Sequence, residues 1–336
     1  MRLALVLLLV STVAFAKDTL EIYWIDVEGG AATLIVTPDN ETILMDAGWA
    51  GYDDRDPKRI ADVLENEVGK KELDYFITSH FHADHAGGVP ALSKLVSIKK
   101  YVDHGDSVEL GWNERADALW RNYLAVAKGN RMQVRPGERL RLKNTEFTFV
   151  AARSEFLSKP IVDRGPNVAC RDAAQKEVDK GENGKSVGFM IRMGKFEFLD
   201  LGDLTWNYEI ETACPSNVFG EIDLYQVTHH GMHMSGAPAH IAAIQPLVAV
   251  MNNGHRKGGR PETYELLTST PSLQDLWQVH RALETDEAHN TDERQIANLV
   301  ETKDCEGHWL RATVQPDGSF SMHNSRNGIS KSYSAR

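Results

Sequence analysis

The chain has 336 residues, enough for one large domain or two modest ones, and its 42% hydrophobic and 25% charged residues describe a globular protein with a sizeable core. A formal net charge of −11 gives it no overall attraction for polyanions, which argues against dedicated nucleic-acid binding. Arg256, Lys257 and Arg260 remain available for a local basic lip. The three cysteines, Cys170, Cys214 and Cys305, form no C-x-x-C pair, so a structural zinc knuckle is not indicated.

Residues 1–16 read as a secretory signal peptide: Arg2, an apolar run over 3–15, then Ala14-Phe15-Ala16 as an A-x-A cleavage site before Lys17. The expected mature chain covers 17–336, is periplasmic or secreted, and has no transmembrane segment. An oxidising compartment would allow one disulfide, with Cys170–Cys214 the first choice because the chain between them includes Asp203. The mature chain reads as a single domain with a C-terminal extension after about residue 262, and the polar tail after Arg326 reads as disordered.

Residues 20–25 alternate apolar and polar, and with 31–37 and 42–45 they predict a β-meander ending at Asp46-Ala47-Gly48. An amphipathic helix follows over about 56–68, with Ile60, Val63 and Leu64 inward. A buried strand at 75–78 leads into Ser79-His80-Phe81-His82-Ala83-Asp84-His85-Ala86-Gly87-Gly88. A helix is expected at 89–96 and strands at 99–102, 147–150, 187–193, 196–199, 224–228 and 247–251. Trp277-Gln278 reads as a packing helix. A hairpin over 309–314 and 319–323 turns at Pro316-Asp317-Gly318. The mixture predicts a layered α/β fold.

The 79–88 segment carries the chemistry. On extended backbone alternate residues share a face, so His80 and His82 can address one metal, while Asp84 and His85 point to a neighbouring position. Imidazole and carboxylate are natural ligands of Zn²⁺. A solvated His-rich turn would have no reason to follow a buried strand. Gly87-Gly88 is expected to let the backbone turn tightly.

H-x-H-x-D-H-x-G-G resembles the signature of the metallo-β-lactamase superfamily. Leu44–Gly48 resembles its first motif. Leu201-Gly202-Asp203 resembles its late G-D motif, whose aspartate bridges two metals. Thr228-His229-His230-Gly231 resembles the H-H-G of a branch containing DNA-uptake competence hydrolases and phosphorylcholine esterases, as do Trp24–Val27 and the segment 252–261. The chain departs from the competence hydrolases at His82, where they carry aspartate, and at Glu28-Gly29-Gly30-Ala31.

The resemblance implies an αβ/βα four-layer sandwich and a dinuclear zinc site, with Mn²⁺ or Fe²⁺ as alternatives. His80 and His82 would hold one metal; Asp84, His85 and His230 (or His229) would hold the other; Asp203 would bridge. Asp46 would orient a ligating histidine. His229 would stabilise the oxyanion or protonate the leaving group. The superfamily's further lone histidine has no clear counterpart, leaving His104 and Cys170 as candidates; His255 is another possible ligand. The expected activity is hydrolysis of a small-molecule phosphoester or phosphodiester. Acyl hydrolysis of a lactone, thioester or β-lactam is the second reading, and a non-catalytic zinc-binding protein the third.

Overall fold

A computed structural model describes residues 18–161, 165–302 and 305–336. The expected signal peptide at 1–16 lies outside the described residues, and among those described no helix is long and apolar enough to cross a membrane. The first half runs β1 (Leu20–Trp24), β2 (Thr33–Val36), β3 (Thr42–Met45), α1 (Arg55–Asn66), β4 (Glu72–Ile77), α2 (Ala83–Ala86), α3 (Val89–Leu95), β5 (Ser97–Asp103), α4 (Glu114–Ala127) and β6 (Arg131–Gln133). The second half runs β7 (Arg139–Leu140), β8 (Glu146–Ala152), β9 (Glu155–Phe156), β10 (Gly188–Met193), β11 (Phe196–Asp200), α5 (Trp206–Ala213), β12 (Leu224–Gln226), α6 (Pro238–Ile244), β13 (Val248–Met251), α7 (Pro261–Thr268), β14 (Asp275–His280) and β15 (Ile296–Asn298). The chain closes with β16 (Leu310–Val314), β17 (Ser319–Asn324) and β18 (Ser330–Ser334).

Among the described residues one sheet has the order β18-β17-β16-β1-β2-β3-β4-β5-β6, the other β15-β14-β13-β12-β11-β10-β8-β7, with β9 on β8. Strand alternation sorts the apolar side chains into layers. In β1, Leu20, Ile22 and Trp24 join the core between the sheets, while Tyr23 faces the helices. That inter-sheet core includes Phe147, Phe189, Phe198 and Trp277 from the opposite sheet. Helices α1, α3 and α4 cover the first sheet through Ile60, Leu64, Leu92 and Tyr123. Helices α5, α6 and α7 cover the second through Tyr208, Ile241, Ile244 and Leu267. This is the αβ/βα four-layer sandwich.

Two local expectations are corrected. Trp277-Gln278 lies in strand β14, parallel to β13, rather than in a helix. Leu276 and Trp277 are buried on opposite faces, and a strand buried on both sides carries no alternation to betray it. The tail after Arg326 forms β18, whose Tyr333 is buried against Phe320. Residues beyond 262 supply β14 and β15 to one sheet and β16–β18 to the other; β16 pairs antiparallel with β1, so they complete the sandwich.

The parallel strands of the two sheets, β3–β6 and β11–β15, direct their carboxyl ends to one edge. Loops after such ends are where open α/β sheets build their sites. Asp46 follows β3, the histidine motif follows β4, Asp203 follows β11 and His229-His230 follow β12.

Candidate metal centre

Asp84, His85, Asp203 and His230 present ligand atoms all within 4.8 Å of one another, and all four are buried. Asp203 Oδ2 is the hub. It lies 3.1 Å from His85 Nε2, 3.3 Å from His230 Nε2, 3.4 Å from His229 Nε2 and 4.0 Å from His80 Nε2. Asp84 Oδ2 sits 3.0 Å from His85 Nε2 and 3.4 Å from His230 Nε2. Beside this group His80 Nε2 faces His82 Nδ1 at 3.1 Å, a separation that suits two nitrogens on one ion at about 2.0–2.1 Å each.

Each imidazole is oriented by a partner on its far side. His85 Nδ1 donates to Asp46 Oδ2 at 2.7 Å, and His230 Nδ1 donates to the Asn252 carbonyl at 3.2 Å. Ser79 Oγ donates to Asp46 at 2.6 Å, which leaves it to accept from His80 Nδ1 at 3.0 Å. Ser235 Oγ donates to the Leu204 carbonyl and so accepts from His229 Nδ1 at 3.1 Å. His82 Nε2 donates to Glu109 Oε1 at 3.2 Å. The proton on each outer nitrogen is thus accounted for, and with a cation bound the inner nitrogen would turn its lone pair toward the cluster; without one, burial is outweighed by Asp203, Asp84 and Asp46, which hold the His85 imidazole well above its usual range, so a cation there would displace a proton.

Charge demands a cation in the same place. Asp84 and Asp203 are buried with carboxylate oxygens within 4.8 Å of one another, Asp46 is buried across the His85 ring from them, and buried carboxylates persist only when paired or coordinated. Burial opposes ionisation of Asp84 and Asp203, yet neighbouring histidines, and Lys257 at Asp84, hold both well below the usual carboxylate range. Burial and the adjacent His85 and His82 keep His80 neutral. Burial lowers His229 to about 4, which also leaves it neutral. The donor set therefore fits divalent cations.

Backbone is spent to reach this arrangement. His229 and His230 have φ of 57° and 54°, left-handed values that cost about 1–2 kcal/mol each for residues with a side chain. Bonds from His229 N to the Gly202 carbonyl and from Gly259 N to the His230 carbonyl hold them there. Gly258 permits the approach, since a Cβ at that position would lie 2.0 Å from the His230 oxygen. Gly87 and Gly88 do not make the expected tight turn, because both have helical backbone. Gly88 is required for close packing instead: its Cβ would meet the Ala47 carbonyl at 2.0 Å.

The remaining candidates lie elsewhere. His104 Nε2 donates to Glu182 Oε2 at 2.9 Å and packs against Phe81, behind the motif. Cys170 is joined to Cys214, with Cα atoms 5.7 Å apart, and is no ligand. His255 pairs with Glu301 at 3.0 Å. The basic lip does not form: Arg256 pairs with Glu301, Lys257 with Asp84 and Arg260 with Glu284. Glu182 was not singled out by the sequence, although it accepts from Phe81 N, Ser107 Oγ and His104 and so braces the segment between His80 and His82. Its setting in a charged loop resembles solvated surface; Gly181 and Gly184 on either side are the only local hint. Lys257 gives no more signal, because its partner Asp84 is distant in sequence.

A family model described as the metallo-beta-lactamase superfamily matches residues 25–178. This segment, just under half of the chain, is similar to the metallo-β-lactamase superfamily. The matched segment contains Asp46 and the whole 80–85 motif; Asp203, His229 and His230 lie beyond it. Solved structures of this superfamily are similar to the chain at low identity. YhfI from Bacillus subtilis, a metallo-beta-lactamase fold protein, shares 13% identity over 78% of this chain and 96% of its own, with a TM-score of 0.46. A Cronobacter sakazakii metallo-beta-lactamase with a HARLDQ motif shares 16% over 57% of this chain and 65% of its own, TM-score 0.36. CmlA from Streptomyces venezuelae, a diiron beta-hydroxylase, shares 13% over 68% of this chain and 44% of its own, TM-score 0.38. The chain thus spans less than two thirds of the Cronobacter enzyme. No curated protein matches the chain.

Proposed function

We propose that this metallo-β-lactamase superfamily chain is an exported, metal-dependent hydrolase of small organic esters. The observation that carries the reading is the set of histidines with protonated outer nitrogens and inner nitrogens converging on Asp203. His80 and His82 would hold one cation, and Asp84, His85 and His230 the other, with Asp203 between them. Two zinc ions are the first assignment, Mn²⁺ or Fe²⁺ the alternatives. A divalent cation there supplies Lewis acidity and a water acidified toward neutral pH. Asp46 keeps His85 in the ligating tautomer and, through Ser79, does the same for His80. His229, with its Nδ1 proton committed to Ser235, enters as a further nitrogen acceptor rather than as a proton donor.

A phosphoester is the first substrate class, from the resemblance around His229-His230. A carboxylic ester such as a lactone or thioester is the second, favoured by the pairing of Arg256, Lys257 and Arg260 with carboxylates, which leaves no free cation there for a phosphoryl group. Elemental analysis of dialysed protein should find close to two equivalents of metal, beside a panel of chromogenic phosphodiesters, lactones and nitrocefin. Fully folded protein that retains no metal and cleaves no ester would end the proposal.

A further inference from the structure

A cavity of about 680 Å³ lies on the far side of Glu109 from His82, with no metal-centre histidine or aspartate in its own wall. Glu109, the partner of His82, lies on its wall. Thr205 and Trp206 enter it directly after Asp203, and Met234 follows the His229-His230 turn. Large apolar side chains are exposed around it: Trp112 at 58%, Val178 at 48% and Met234 at 41%, with Leu110 at 43% beside them in the chain. An exposed apolar rim around a concave site marks binding.

The polar lining is of a particular kind. Lys176 and Lys180 face Glu177, Asp179 and Glu109, so the walls carry no excess of positive charge. The Lys176 ammonium is already engaged, over the Trp206 ring at 3.3 Å from its centroid and on the His233 carbonyl at 2.6 Å. Thr205, only 6% exposed, contributes to the wall, but its hydroxyl is itself buried and offers the cavity no polar group. A polyanion would find no net attraction here. An uncharged aryl or alkyl group would cover Trp112, Trp206 and Met234.

We propose that this cavity selects esters carrying an uncharged aryl or medium-length alkyl group, seated between Trp112 and Trp206–Met234 with the scissile bond at the metal centre. The assignment rests on the hydrolase reading for its catalytic half and on the cavity alone for its binding half. Two measurements separate these. In the first, the metal-loaded enzyme is given matched ester series with tails of two to eight carbons, one uncharged and one ending in phosphate. The uncharged series should gain up to about fourfold in kcat/KM per methylene. Trp112→Ala should lower kcat/KM for the longest tail about tenfold through KM, while Val168→Ala, an exposed apolar residue outside the cavity, should not. In the second, 3-phenylpropanol is titrated calorimetrically into metal-stripped protein; it should bind, and Trp112→Ala should abolish the signal. Turnover that ignores tail length and Trp112→Ala overturns the cavity assignment and leaves the hydrolase standing. Binding of 3-phenylpropanol at Trp112 with no ester cleaved overturns the hydrolase reading and upholds the cavity.

Discussion

Glu209 gives the sharpest test of how this fold supports its site. It is fully buried on α5, and its Oε2 accepts from Ala237 N at 2.8 Å while Oε1 has no partner. It thereby ties α5, which starts two residues after the Gly202-Asp203-Leu204 turn, to the loop that runs on from His229-His230. Burial, only partly opposed by the bonds from Ala237, Thr228 and Gly236, pushes its carboxyl up from 4.5 to about 8. A raised folded-state pKa contributes stability that is complete below the unfolded value and is lost as pH rises through the folded one. A rise of roughly 3.5 units corresponds to something on the order of 5 kcal/mol at acid pH, of which only about 1 kcal/mol remains at pH 7. Glu209→Gln keeps the acceptor for Ala237 and removes the titration. Urea unfolding at pH 5, 7 and 9 should therefore show the variant gaining on the wild type by several kcal/mol as pH rises. Glu209→Ala should be weaker than Glu209→Gln at every pH by about 1–3 kcal/mol, because Ala237 N loses its partner. Parallel wild-type and Glu209→Gln profiles across this range would refute the assignment of a neutral buried carboxyl.

Asp84→Ala should lower ester turnover at least a hundredfold, about 3 kcal/mol of transition-state stabilisation, with an unchanged circular dichroism spectrum because α2 stands at the site edge; near-normal turnover would place the chemistry elsewhere. Glu182 behaves oppositely to Glu209: burial opposes its ionisation, but His104, Phe81 N and Ser107 hold it down at about 2, against an ordinary 4.5. Its stability, about 3 kcal/mol, is present above pH 4.5 and lost as pH falls toward 2, so Glu182→Gln should flatten the acid limb of the unfolding profile. Intact mass of exported protein should show a chain beginning at Lys17 with one disulfide and one free thiol at Cys305, and Cys170→Ser should cost roughly 2–4 kcal/mol by opening the bridged loop.

What could be read from the sequence was local. The strand Leu20–Trp24 shows in its alternation, Thr42–Met45 in a short apolar run after the Pro38-Asp39-Asn40 turn, and α1 in the spacing of Ile60, Val63 and Leu64. The motif from His80 to His85 is compact because its residues share one strand end and one turn. What could not be read was carried by partners distant in the chain. The β1–β16 pairing joins residues near opposite ends of the protein, and nothing in either strand names the other. Glu182 meets Phe81 across 101 positions, and Lys257 meets Asp84 across 173. The same holds for the three cations at 256, 257 and 260: a basic run in sequence reports charge, but Glu301, Asp84 and Glu284 decide what that charge does.

The site is unequal in a way that follows from these partners. His85 and His230 are fully buried, and their outer nitrogens bond to Asp46 and to a backbone carbonyl, groups fixed by β3 and by the end of β13. His82 keeps a side chain 34% exposed, and its one anchor is Glu109, a residue that also faces the cavity. The inner position is thus built into the sandwich, whereas the outer one is shared with whatever fills the cavity. Under the proposed cavity assignment, a group seated against Trp112 would share the wall with Glu109, the partner of His82. Glu109 also accepts from Glu182 N at 3.1 Å, and Glu182 in turn holds the Phe81 amide. If the cavity holds substrate, its contacts and the orientation of His82 would share this short chain of hydrogen bonds, while His85 and His230 are held by Asp46 and the Asn252 carbonyl, which do not line the cavity.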